Sequence, residues 1–313
     1  MKVKKICTKN MSREEWLGLR KNTIGGSDAQ AITGLSNYSS PYTVWADKTG
    51  RLPDKEDSEA MRQGRDLEAY VAERFMQATG KRVRRENNML FNENYPFAHA
   101  DVDRVLVGEN ALLECKTTST LNLKQFKTGE FPEKYYVQCV HYLAVTGCEK
   151  IYLAVLVFGK DFFVYSLERD EEEIAALMTM EKEFMENYVL KDVPPPADGS
   201  KATTDTLSVI YKDDLKDDTV DLFGRENLFN EYFTLKSSAD AIKERMEEIK
   251  NTLKSDIKES MYGVCDGFKV SYKPQVRESF NRKSFEKSHP DIDLSPFYNS
   301  SVSRVFKITE DKK

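Results

Sequence analysis

The stretch Asp101-Val102-Asp103-Arg104-Val105-Leu106-Val107-Gly108-Glu109-Asn110-Ala111-Leu112-Leu113-Glu114-Cys115-Lys116 decides how this chain is read. Residues 102–107 and 111–116 predict two strands, joined by a hairpin turn at Gly108-Glu109-Asn110. Side chains alternate faces along a strand. In the second strand Leu113 and Cys115 therefore face a core, and Glu114 and Lys116 face the other way together. An apolar run that ends in an acid and a lysine on one face is unusual, because buried strands normally continue apolar. Pairing the strands brings Asp103, which opens the first, close to Glu114. Two neighbouring carboxylates repel each other, and a hard divalent cation relieves that repulsion. Lys116 can then orient or deprotonate a water, or stabilise charge that builds on phosphorus. The spacing alone also fits a surface hairpin with a Glu114–Lys116 salt bridge.

Three further pieces point to the same chemistry. Residues 58–79 predict a helix with Leu67, Val71 and Phe75 on one face and Gly80 as its C-terminal cap. Glu68 lies at the edge of that face and can add a third carboxylate. Residues 134–146 predict a helix ending at Gly147, on which Gln138 and Tyr142 share a face at i, i+4 spacing. An amide and a phenol there can hold a lysine, a water or a phosphate. Upstream, Ile24-Gly25-Gly26-Ser27-Asp28-Ala29 reads as a turn into a short helix, capped by Ser27 and closed by Gly34. Its glycines would offer backbone N–H groups to an anion, and Arg20 a bidentate phosphate contact.

The remaining pattern sets the architecture. Strands at 150–158 and 162–167, turning at Gly159-Lys160-Asp161, precede an amphipathic helix over 170–190 with Ile174, Leu177, Phe184 and Tyr188 inward. This predicts an α/β fold with a small mixed sheet. Val193-Pro194-Pro195-Pro196-Ala197-Asp198-Gly199-Ser200 reads as a linker, since three prolines cannot continue a helix or a central strand. The expected division is a first domain over 1–193, a linker over 194–201 and a C-terminal region over 202–313. In that region Leu228, Tyr232, Leu235, Ala239, Ile242, Met246, Ile249 and Leu253 recur as heptads. They fit a long helix, or a helical hairpin, packed on its own chain, or an intermolecular coiled coil. Gly263 ends the pattern, and strands are expected near 267–273 and 302–308.

Composition narrows the function. The 313 residues are 40% hydrophobic and 11% aromatic, enough to bury a core, which excludes wholesale disorder. No apolar run approaches the roughly 18 residues of a membrane span. The N-terminal MKVKKICTKNMSREEW has no apolar stretch behind its positive charges, so no secretory signal is expected. Five scattered cysteines without zinc spacing suit reduced thiols in a cytoplasm. The net charge of -5 means that any nucleic acid is met through local patches or metal ions. Lys81-Arg82-Val83-Arg84-Arg85 is one such patch, and Tyr38, Tyr42 and Trp45 offer stacking surfaces or core.

Taken in order, Arg20…IGGSDA, GRDLE, DVDRVLVGENALLECKT and QCVHYL resemble the YqaJ-type phage recombinase nucleases. These are grouped with lambda exonuclease in the PD-(D/E)XK superfamily. The resemblance covers roughly residues 12–190. It implies a restriction-endonuclease-like (alkaline exonuclease) core, a central mixed sheet flanked by helices, with a long-helix and small β extension. It implies a site dependent on Mg²⁺ or Mn²⁺. Asp103, Glu114, the Cys115 carbonyl and Glu68 would be metal ligands. Lys116 would be the catalytic lysine, and Gln138 and Tyr142 would shape the site. Arg20 and Ser27 would bind the DNA 5′-phosphate. The implied activity is 5′→3′ exonuclease action on double-stranded DNA ends. It would serve phage or prophage recombination in a bacterial host, with an annealing protein of the RecT kind as partner. A homo-oligomer surrounding DNA would suit that role. A structure-specific or nicking endonuclease and a non-catalytic DNA-binding or assembly module are the alternatives. Two departures stand out: Val102 and Arg104 flank Asp103 where the family often has Pro or another neutral residue, and Gly. Asp101 also offers itself as the ligand in place of Asp103.

Overall fold

The structure is a computed structural model that describes residues 2–54, 57–119, 123–212, 217–300 and 304–310. The chain forms two compact units, Met1–Leu215 and Lys216–Lys313. In chain order the first holds β1 (Val3–Cys7), α1 (Arg13–Lys21), α2 (Gly26–Ile32), α3 (Pro41–Lys48), α4 (Glu59–Thr79), β2 (Val83–Arg85), β3 (Asn88–Asn92), β4 (Tyr95–Ala100), β5 (Arg104–Leu106) and β6 (Ala111–Thr118). It continues with α5 (Leu123–Phe126), α6 (Glu133–Thr146), β7 (Lys150–Val157), β8 (Asp161–Glu168), α7 (Glu171–Phe184) and α8 (Lys201–Ile210).

The central sheet runs β2-β5-β6-β7-β8. The hairpin read from the sequence forms as expected, with Arg104 opposite Leu113 and Val105 opposite Leu112. Gly108 allows the turn by taking φ of 82°, a left-handed conformation that costs glycine little. The β6–β7 pair is parallel and the other pairs are antiparallel, so the sheet is mixed. As a central strand β6 is covered on both sides. Leu113 packs with Val71 and Phe75 of α4 on one face. On the other face Glu114 meets Gln138 of α6. A surface hairpin is thereby excluded.

A second sheet, in the order β1-β3-β4, adjoins α6 and had no signal in the sequence. Its first pairing joins Val3 to Asn92, far apart in the chain. Pro96 sits in β4, an edge strand, where the missing N–H costs no ladder bond. Two helix ends also differ from expectation. The N-cap of α2 is Gly25, not Ser27, because the Asp28 carboxylate turns back to accept the Gly25 N–H at 3.0 Å. The helix expected over 170–190 loosens into a π-helical turn at Met185–Val189.

The proline stretch 194–201 does not coincide with the division between the compact units, because α8 belongs to the first. Thr203 donates to Ser40 at 2.8 Å, and Thr206 and Thr43 share a hydrogen bond of 2.8 Å. These buried hydroxyls dock α8 on α3.

In the second unit the heptad segment is α9 (Glu226–Ile257), a 32-residue helix with none of its residues buried. Along its apolar seam Leu235 and Ile242 are 60% and 62% exposed. A hairpin of β9 (Tyr262–Cys265) and β10 (Phe268–Ser271) follows, then α10 (Arg282–Ser288). Residues 304–310 form no strand, and 301–303 lie outside the described residues. No helix among the described residues is long and apolar enough to cross a membrane.

Candidate functional site

A cleft of about 450 Å³ opens between α1, α2, α4, α6 and the β4–β6 edge, and it gathers the residues that the resemblance implies for the site. Arg20, Ser27, Glu68, Asp103, Glu114, Cys115, Lys116, Gln138 and Tyr142 all line it.

The floor is built by β6. Glu114 is buried, and its Oε1 accepts from Gln138 Nε2 at 3.0 Å and pairs with Lys116 Nζ at 2.6 Å. Gln138 Nε2 also reaches the Tyr142 hydroxyl at 2.9 Å, as the i, i+4 spacing anticipated. The second Glu114 oxygen, Oε2, is buried with no hydrogen-bond partner among the described residues. Asp103 Oδ2 accepts the Cys115 backbone N–H at 2.7 Å. Burial, together with the charges of Glu114 and Glu68, pushes the Asp103 carboxyl well above the usual carboxylate range. Burial works to strip the proton from Lys116, but Glu114 and Asp103 outweigh it and raise the ammonium, so it stays a cation.

Orphaned and mutually repelling carboxylates fit a divalent cation, as the chemistry of hard oxygen ligands requires. Among the described residues, however, no three acids stand at ligand spacing. The Glu68 carboxylate is paired with the guanidinium of Arg104, which is itself buried.

Around the rim, Arg20 lies over the Trp16 ring at 4.5 Å, and its Nη1 is 3.8 Å from Asp101 Oδ2. Asp101 thus faces Arg20, whereas Asp103 faces Glu114 and Glu68. Lys48 pairs with Asp28 at 2.6 Å and donates to the Arg20 carbonyl at 2.7 Å, tying the glycine turn to α1. The Gly25 N–H expected to meet an anion is spent on Asp28, and α2 has only 7 residues.

Gly26 is required for contact rather than for backbone freedom. A Cβ there would lie 2.8 Å from Gln138 Cγ and 2.9 Å from Tyr142 Cε1. Gly26→Ala is therefore expected to shift the amide that holds Glu114 and to cut activity about 10- to 100-fold. Gly18→Ala is the control: it lies in α1 with nothing within 4 Å of its Cβ, and should stabilise by about 0.5–1 kcal/mol. Initial rates and thermal melts of the two variants check this.

His99 gave no signal in the sequence because its strand was not foreseen. Thr23 Oγ1 donates to the Leu19 carbonyl, so His99 Nδ1–H donates to Thr23 and Nε2 keeps its lone pair toward the cleft. Burial first, then Arg20, His141 and Lys48, lower the ring from 6.5 to about 3. The unfolded chain takes up this proton near pH 6.5 and the folded chain does not. Stability should therefore fall with acidification, by about 2 kcal/mol at pH 5 from this group. Melts at pH 7 and pH 5 should differ by about 4–8 °C more for the native protein than for His99→Gln.

Other features sit apart from the cleft chemistry. Tyr42 and Trp45 are core, whereas Tyr38 is exposed. The basic run 81–85 includes edge strand β2, where charge guards an open edge. Lys81 is paired with Glu109 at 2.6 Å. Burial pushes the thiols of Cys115 and Cys139 up, while Cys7 and Cys265 are exposed.

Comparison with known proteins places the chain in a family. The YqaJ-like viral recombinase domain matches residues 15–149. The chain is 39% identical over 287 residues to Uncharacterized protein YqaJ of Bacillus subtilis (strain 168), covering 90% of each. Among solved structures it is similar to an alkaline exonuclease (LHK-Exo) from Laribacter hongkongensis, at 21% identity and a TM-score of 0.49, over 57% of this chain and 93% of that one. It is also similar to a phage related exonuclease from Haemophilus somnus 129PT, at 12% identity and a TM-score of 0.40, over 56% and 99%. With nine-tenths of its length matched at 39% identity to YqaJ, and with the recombinase domain spanning the cleft, the chain belongs to the YqaJ-like viral recombinase family.

Proposed function

We propose that the protein is a metal-dependent DNA nuclease of the PD-(D/E)XK kind. It degrades double-stranded DNA from its ends, 5′→3′, and leaves single strands for a RecT-like annealing partner. The observation that carries the reading is the buried stretch of β6 where Glu114 keeps an oxygen unpartnered among the described residues, beside Asp103 and a lysine held as a cation. A sheet strand does not bury such a set for stability alone.

Asp103, Glu114 and the Cys115 carbonyl would hold Mg²⁺ or Mn²⁺. When bound, such an ion lowers the pKa of a water and screens charge on phosphate. The chain's own residues do the rest. Gln138 and Tyr142 fix the Glu114 carboxylate. Water attacks phosphorus and gives up a proton to solvent, the bond to the leaving oxygen breaks and that oxygen takes up a proton from solvent, and negative charge builds on the phosphoryl oxygens in between. Protonated Lys116 faces that charge in a site of low dielectric. Arg20, backed by Trp16, and Ser27 receive the terminal 5′-phosphate.

The test is a linear duplex labelled at either end, with or without a 5′-phosphate, beside a closed circle, in Mg²⁺ and in EDTA. Mg²⁺-dependent loss of 5′ label from the linear form, faster with the phosphate, supports the exonuclease and the Arg20 contact together. Cutting of the circle would replace it with an endonuclease. No cutting in any form would leave a DNA-binding module.

A further inference from the structure

Arg104 directly follows the acid Asp103. It puts a permanent positive charge beside a centre that is to attract a cation, and the structure shows where that charge goes. Arg104 opens β5 opposite Leu113, so its backbone is fixed by the central hairpin. Its side chain is only 9% exposed. One guanidinium nitrogen donates both to the Glu68 carboxylate and to the Asp103 carbonyl, at 2.7 Å for the latter. Glu68 comes from α4, so the arginine bridges the helix to the strand that carries Asp103.

The charges then sort into pairs. Lys116 sits on Glu114, and Arg104 sits on Glu68. Asp103 is left with a backbone N–H, and Glu114 with its unpartnered Oε2. An arginine cannot give up its charge. A dication on Glu68 would therefore stand against a fixed guanidinium within the same carboxylate's reach. Among the described residues no three acids stand at ligand spacing.

We propose that Arg104 supplies at Glu68 the positive charge that a second divalent ion would bring, so that the cleft takes one tight divalent cation, on Asp103 and Glu114. Glu68 is then a positioning residue that holds Arg104, not a ligand. This rests on the metal-dependent reading above.

The experiment is a titration of the full-length, metal-free protein with Mn²⁺, reading unbound ion by electron paramagnetic resonance. The native chain should bind one tight ion. Glu114→Gln should weaken it tenfold or more, the scale seen when metal-site partners are removed. Glu68→Gln, which keeps a hydrogen-bond acceptor for Arg104, should still bind one. Arg104→Gln should gain a second ion that Arg104→Lys does not, provided circular dichroism shows each variant folded. Two tight ions in the native chain, reduced to one by Glu68→Gln, would overturn the proposal while sparing the metal-dependent reading. Loss of the single ion in Glu68→Gln would do the same. No tight ion in the native chain would overturn both. Should Arg104→Gln not fold, the Glu68→Gln count decides alone.

Discussion

Lys116→Ala is expected to lower DNA cleavage about 100- to 1,000-fold while duplex binding stays within a few-fold. The argument is electrostatic. Lys116 lies on the same face as Glu114, at 2.6 Å, and over the Tyr135 ring at 5.5 Å. Its carboxylate neighbours hold it protonated against the pull of burial. Of the two roles open from sequence, proton acceptor and cation, this favours the cation. A fixed charge in a low-dielectric cleft needs no rearrangement when the reaction begins, which is why such groups carry large rate factors. Binding affinity draws on many phosphate contacts and loses little from one. Single-turnover rates, with anisotropy of a labelled duplex in EDTA, separate the two. Cleavage within tenfold of native would remove Lys116 from the mechanism. A rate limb from Lys116 deprotonation between pH 7 and 9 is not expected.

The second large effect concerns stability. His141 and Glu181 are both fully buried between α6 and α7, with Nδ1 and Oε1 2.8 Å apart. His141 Nε2–H donates to the His99 carbonyl at 2.8 Å, so the ring ties α7 to the strand behind the cleft. Although burial disfavours the charged ring, Glu181 outweighs it and raises the imidazole. His141→Leu would strand Glu181, whose Oε2 already has no partner among the described residues. Breaking one side of such a pair costs about 3–5 kcal/mol, whereas replacing both sides with apolar groups is often near neutral. The single variant should melt about 6–20 °C lower, and His141→Leu with Glu181→Leu should recover most of the loss. Equal losses in the single and double variants would show that packing, not the pair, matters.

How much of this was legible in the sequence depends on the range of the interaction. Helices α4 and α6 and strands β5 to β8 announce themselves through local periodicity and glycine stops, and they appear within a few residues of expectation. Their junction brings Glu68, Asp103, Glu114, Lys116, Gln138 and Tyr142 into one cleft, as the ordered motifs suggested. What was not legible is non-local. The β1-β3 pairing joins residues with no shared pattern, so its sheet went unseen, and His99 with it. The docking of α8 rests on hydroxyl groups, which hydrophobic periodicity does not register. The pairing of Arg104 was not legible either, because nothing local reveals that Glu68 will lie across from it.

The distribution of thiols has a practical consequence. Cys7 lies in the first compact unit and Cys265 in the second, both exposed, while the Cys115 and Cys139 thiols are raised by burial and disfavour the reactive thiolate. Maleimide dyes added to the native chain should therefore react first at Cys7 and Cys265, one in each unit, ahead of half-buried Cys148, whose thiol burial also raises.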